Sequence, residues 1–116
     1  MNFIPYGKQN INQDDVDIVV DTLKSDYLTT GPKVKEFEDA LSSYCGAKYV
    51  LAVANGTAAL HLASLVLLKK DDKVLTTPNS FLATSNSILY VGAKPIFVDI
   101  AQDGNIDLYI CEEYLK

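Results

Sequence analysis

Apolar positions recur at helical spacing in the first part of the chain and then give way to short apolar runs that alternate with helical stretches. Val16, Val19, Val20 and Leu23 stand at i, i+3, i+4 and i+7, which predicts an amphipathic helix reaching about Lys24. Asn12 is placed to cap its start, and Asp14 and Asp15 fall in the first turn, where the helix dipole favours negative charge. Val34, Phe37, Leu41 and Tyr44 form the apolar face of a second helix, opened by Pro32 and stopped by Gly46. Between the two lies the loop Asp26-Tyr27-Leu28-Thr29-Thr30-Gly31. The first ten residues, broken by Pro5 and Gly7, read as extended.

After Gly46 the pattern alternates. Tyr49 to Ala54 is an apolar run that predicts a buried strand, followed by a helix from Thr57 to Leu68. Asn55-Gly56 joins them, a junction able to take positive φ. Strand 73–77, helix 81–90 and strand 94–99 follow, then a turn at Gln102-Asp103-Gly104-Asn105 and a last helix from near Leu108 to Lys116. Such alternation predicts an α/β fold of three layers, with a mainly parallel sheet and right-handed crossovers. The organisation expected is an arm with two helices over 1–46 and strand–helix alternation over 47–116. Three strands make a narrow sheet, and the last helix has no strand after it, so the chain reads as the front part of something larger.

Composition narrows the function classes. The 116 residues carry a formal net charge of −5, and no Lys/Arg run is longer than Lys69-Lys70. A phosphate backbone needs a basic stripe, so nucleic acid is not an expected partner. No apolar stretch is long enough for a membrane helix, and the first residues lack the pattern of a signal peptide. Cys45 and Cys111 lack metal-binding spacing and read as reduced packing thiols, which fits a cytoplasmic location.

Candidate chemistry is sparse on spacing alone. A helix start exposes unpaired N–H groups at the positive end of its dipole, so Gly56-Thr57-Ala58 could cradle a phosphate with help from the Thr57 hydroxyl. The segment matches neither GxxxxGK[ST] nor GxGxxG. Phe81 follows a strand at the carboxyl edge of the sheet, where ligands of open α/β sheets gather, although an isolated Phe is more often a core residue. His61, the sole histidine, has no nucleophile or carboxylate partner in the pattern and reads as a packed helical side chain. Asp99 reads as a cap or turn residue, and Asp103, Asp107, Glu112 and Glu113 as a solvated face without EF-hand spacing.

Taken in order, these segments resemble the DegT/DnrJ/EryC1/StrS sugar aminotransferases, pyridoxal-phosphate enzymes of fold type I. The resemblance runs through Ile4-Pro5-Tyr6-Gly7, Tyr27-Leu28-Thr29-Thr30-Gly31-Pro32, Asn55-Gly56-Thr57-Ala58-Ala59-Leu60-His61, Phe81-Leu82-Ala83-Thr84-Ser85-Asn86 and Gly92-Ala93-Lys94-Pro95-Ile96-Phe97-Val98-Asp99. Asn86 to Tyr90 and Asp103 to Asp107 are most similar to the branch that aminates a UDP-linked 4-keto-6-deoxy sugar for pseudaminic acid. The resemblance implies the N-terminal portion of the large domain, a pyridoxal 5′-phosphate cofactor, glutamate as amino donor and a homodimer. It implies that Thr57 and Ala58 hold the cofactor phosphate and that Phe81 stacks on the pyridine ring. Tyr6, Asp26, Tyr27, Leu28, Thr29 and Gly56 would lie near the nucleotide sugar. The family's cofactor-bearing lysine and the aspartate that pairs with the pyridine nitrogen match no segment of this chain. Lys73 and Lys94 stand in strand contexts that do not fit, so no catalytic residue is assigned and no transaminase activity is expected of these 116 residues alone.

Two readings of other classes stay open. One is a non-catalytic α/β interaction module, or truncated pseudoenzyme, that joins a partner through exposed edges and apolar faces. The other is a flavodoxin-like mononucleotide domain, which would need its phosphate loop at Asn55-Gly56-Thr57, the turn after the first strand.

Overall fold

The computed structural model describes Pro5 and residues 7–116, so Tyr6 lies outside the described residues. The chain divides into two compact units, Met1–Ala52 and Val53–Lys116.

The first unit is built on two helices, α1 (Gln13–Lys24) and α2 (Pro32–Cys45). Asn12 caps α1 through a reciprocal box. Its side chain accepts from the Asp15 N–H at 3.1 Å, and the Asp15 carboxylate accepts from the Asn12 N–H at 2.9 Å. Pro32 opens α2, and Gly46 ends it in the left-handed region at φ 67°. Neither helix has a fully buried residue. Ile18, Val19, Leu23, Val34 and Phe37 are all exposed.

The second unit contains α3 (Gly56–Leu67), β1 (Lys73–Thr76), α4 (Ala83–Tyr90), β2 (Lys94–Phe97) and α5 (Leu108–Tyr114). β1 and β2 pair in parallel, with Lys73 opposite Lys94 and Thr76 opposite Phe97. The Leu75–Ile96 pair lines a cavity of about 140 Å³ with Tyr114 and Leu115, which brings the end of α5 to one sheet face. Alternation turns Val74 and Thr76 to the other face, against which α4 packs. α3 in turn packs on α4, and the buried residues of this pair of helices include Ser64, Ala83 and Ser87, small side chains that allow close approach. Ile88, Ala93, Val98 and Cys111 complete a modest core.

Two features differ from the expectations. Residues 49–54 form no strand: Tyr49 and Leu51 are 81% and 71% exposed, and no ladder partner exists among the described residues. The sheet there has two strands, not three. An apolar run becomes a strand only when another strand supplies its hydrogen bonds, and here the Ala52 N–H donates instead to Glu38 Oε1 at 2.9 Å. The Asn55-Gly56 junction also takes no positive φ. Asn55 is extended at φ −167° and caps the helix that Gly56 begins.

Candidate functional site

The start of α3 differs chemically from the start of α1. The first turn of α1 contains Asp14 and Asp15, whereas that of α3 contains no acidic residue. The positive end of the α3 dipole is therefore uncompensated by local charge. Asn55 Oδ1 accepts from the Ala58 N–H at 2.9 Å, and the Asn55 carbonyl accepts from the Ala59 N–H at 3.2 Å. The Gly56 and Thr57 N–H groups have no acceptor among the described residues. Gly56 is exposed and Thr57 half-buried, and open space surrounds the Gly56 Cα where a side chain would project. Two unpaired N–H donors, a hydroxyl and an unopposed dipole suit a phosphate dianion.

Ala58 is the partial exception. Its N–H is already bonded to the Asn55 side chain, so an anion would reach it only by displacing Oδ1. The cap residue Asn55 is thus part of the site, a role that its position one residue before a helical Gly could have signalled.

Phe81 sits on the loop that leaves the carboxyl end of β1, two residues before α4. Its side chain is 80% exposed, so it is not a core residue. It lines a cleft of about 230 Å³ with Thr77, Pro78, Ser80, Thr84 and Phe97, among others; Thr57 and Ala58 do not contribute to that cleft. Ser80 and Thr84, hydroxyl residues one helical turn apart, share a hydrogen bond of 2.8 Å. Lys73 and Lys94 begin the two strands, at the opposite end of the sheet from Phe81. Four residues of strand separate the two ends by roughly 10 Å. Lys94 Nζ is also engaged with Asp71 at 2.7 Å.

In the first unit, Asp26, Tyr27, Leu28 and Thr29 form an exposed loop. Leu28 lines a cleft of about 450 Å³ with Ile18, Val19, Thr22, Leu23 and Lys33. The loop is tightly wound. Thr30 adopts φ 48°, uncommon for a β-branched residue, and its hydroxyl donates to the Thr29 carbonyl at 2.8 Å. A Cβ at Gly31 would stand 2.8 Å from the Tyr27 carbonyl oxygen.

His61 is half-buried and meets Tyr90 edge-on, with ring centroids 5.3 Å apart, a packing role that links α3 to α4. The Asp99 side chain accepts from the Ile100 N–H at 2.8 Å, and Asp107 caps α5 by accepting from the Tyr109 and Ile110 N–H groups. Asp103 accepts from the Asn105 side-chain amide and backbone N–H, which hold its carboxyl below the usual value. No cluster of His, Cys, Asp and Glu suited to a metal ion occurs among the described residues. No helix among them is long and apolar enough to cross a membrane.

The profile of the DegT/DnrJ/EryC1/StrS aminotransferase family matches residues 9–115. The chain belongs to this family. Over 104 residues it is 50% identical to the UDP-4-amino-4,6-dideoxy-N-acetyl-beta-L-altrosamine transaminase of Campylobacter jejuni, covering 90% of this chain and 28% of that protein. Among solved structures, Helicobacter pylori PseC, an aminotransferase of pseudaminic acid biosynthesis, superposes with a TM-score of 0.87 at 33% identity over 97% of this chain and 31% of its own. The Escherichia coli GDP-4-keto-6-deoxy-D-mannose-3-dehydratase with bound hydrated PLP also gives 0.87, at 27% identity, over 97% of this chain and 31% of that one. The α/β architecture is accordingly a portion of the fold-type-I large domain, and the chain spans 28% of the length of the Campylobacter relative.

Proposed function

We propose that this chain forms the phosphate- and ring-binding part of a pyridoxal 5′-phosphate-dependent nucleotide-sugar aminotransferase. The observation that carries the reading is the start of α3, where the Gly56 and Thr57 N–H groups have no acceptor among the described residues and the first turn has no acidic residue. The Thr57 hydroxyl adds a third donor, and Ala58 can add its N–H when Asn55 yields it. Phe81 offers an exposed aromatic face for the pyridine ring. When bound, the cofactor supplies an electron sink through which an amino group reaches a sugar ketone. The protein groups named here bind and orient; none of them is assigned a proton-transfer step.

The substrate assignment follows the relatives. The 50% identical Campylobacter enzyme is named for a UDP-linked 4-amino-4,6-dideoxy sugar, which supports a UDP-linked 4-keto-6-deoxy sugar as the substrate here. Glutamate as amino donor, a cytosolic location and a homodimer complete the proposal. Tyr6, Asp26, Tyr27, Leu28, Thr29 and Gly56 are proposed to face that nucleotide sugar. The dehydratase relative, less similar in sequence, marks the other chemistry the same fold supports.

Titration of the chain with pyridoxamine 5′-phosphate and with pyridoxamine tests the reading, since the two differ only in the phosphate. The phosphorylated ligand is expected to bind at least tenfold more tightly, and Thr57→Val to erase part of that difference. Equal affinities for the two ligands would remove the basis of the proposal. Borohydride reduction after addition of pyridoxal phosphate asks whether one defined lysine of this chain carries the cofactor, and none is expected to.

A further inference from the structure

The Phe81 ring, 80% exposed, is not held by packing. The backbone around it is held instead. Ser80 Oγ and Thr84 Oγ1 lie 2.8 Å apart in a mutual hydrogen bond, and the Thr84 N–H donates to the Phe81 carbonyl at 3.0 Å. The residue before the ring and the carbonyl after it are thus both tied to Thr84. One step earlier, the Asn79 N–H donates to Thr77 Oγ1 at 3.2 Å and the Asn79 amide to the Gly104 carbonyl at 3.4 Å. Helix capping does not explain the Ser80 hydroxyl, because the start of α4 receives no side-chain cap and Ser80 reaches a side chain.

We propose that the Ser80–Thr84 hydroxyl pair is a positioning device that fixes the backbone on the N-terminal side of Phe81, while the Thr84 N–H holds its carbonyl, and so presets the ring for stacking on a planar ligand. The inference rests on the proposed role of Phe81. Side-chain rotamers depend on the backbone beneath them, so releasing the pair frees the ring between rotamers. A ring that must be reordered on binding lowers affinity by the ordering cost. Neither residue touches the ligand in this account; each acts through Phe81.

The test uses the full chain with Ser80→Ala, Thr84→Val, the double variant, and Ser80→Thr, which keeps the hydroxyl. Without ligand, three-bond couplings at Phe81 should show one dominant χ1 rotamer in the unsubstituted chain and in Ser80→Thr, and averaging in the other three. Affinity for pyridoxamine 5′-phosphate should fall about two- to tenfold in each single variant, the range of one net hydrogen bond, with no further loss in the double variant. Ser43→Ala, which removes a hydroxyl bonded to the Asp39 carbonyl on α2, should change neither measurement. Ser80→Ala reads the same bond from its other end should Thr84→Val fold poorly. An unchanged Phe81 rotamer in Ser80→Ala overturns the proposal. Averaging in the variants of a chain that binds no pyridoxamine 5′-phosphate would uphold the positioning while overturning the cofactor reading.

Discussion

Replacing Asn55 with alanine should weaken the protein and strengthen its grip on phosphate at once. The Asn55 side chain accepts from the Ala58 N–H at 2.9 Å, a bond at an exposed helix start. Loss of such a cap costs about 1 kcal/mol, and replacement by glycine only a few tenths. The ligand-free Asn55→Ala variant should therefore melt about 4 °C or more below the unsubstituted chain, with Asn55→Gly between them. The freed Ala58 N–H then becomes a further donor for an anion beside Gly56 and Thr57. Binding restores the satisfaction that the mutation removed, so the affinity for pyridoxamine 5′-phosphate should rise by roughly fivefold, the equivalent of about 1 kcal/mol. Thermal melts by circular dichroism across a ligand series read both effects, because ligand adds stability in proportion to the logarithm of its excess over Kd. The variant and unsubstituted curves should converge as ligand saturates. Melting temperatures that stay a constant distance apart at every concentration would refute the claim that the Asn55 side chain and phosphate compete for one N–H.

Other substitutions probe the loop of the first unit and the acid response. Thr30→Asn should stabilise the chain by up to about 1 kcal/mol in denaturant titrations, because asparagine tolerates the left-handed conformation that Thr30 adopts at φ 48°. Gly31→Ala should destabilise it by about 1–3 kcal/mol in the same titration, since its Cβ would press on the Tyr27 backbone oxygen. Asp103 has a lowered carboxyl pKa from the Asn105 side-chain amide first and its backbone N–H second. A depressed carboxylate contributes stability above its unfolded value, near pH 4, that is lost as pH falls through the folded one. Asp103→Asn should therefore show a shallower loss of melting temperature on acidification below about pH 4 than the unsubstituted chain.

Local signals in the sequence were sufficient wherever one residue acts on its own backbone. Asn12 and Pro32 open the first two helices through their side chains, and Gly46 ends the second because it has no Cβ to oppose the left-handed conformation. The parallel pairing of β1 with β2 also follows from alternation around α4. Residues 49–54 failed the same logic because a strand is a property of two segments, and no second segment pairs with this one among the described residues. The site shows the same division. Thr57 and Phe81 stand where a helix start and a sheet edge put them, and the Asn55 cap was signalled by its place before a helical Gly, whereas the Ser80–Thr84 pair emerges only from coordinates. The i, i+4 spacing of two hydroxyls across a helix start was the available hint for that pair.

The register of β1 on β2 sets the order in which the second unit can assemble. Its strand partners, such as Lys73 and Lys94, are 21 positions apart (94 minus 73), and no hairpin turn can bring parallel strands together. The connection between them must cross over through α4, so α4 is expected to form in the folding nucleus and α5 to join afterwards. Ser87→Gly in α4 should slow refolding, whereas Glu113→Gly in α5 should chiefly speed unfolding.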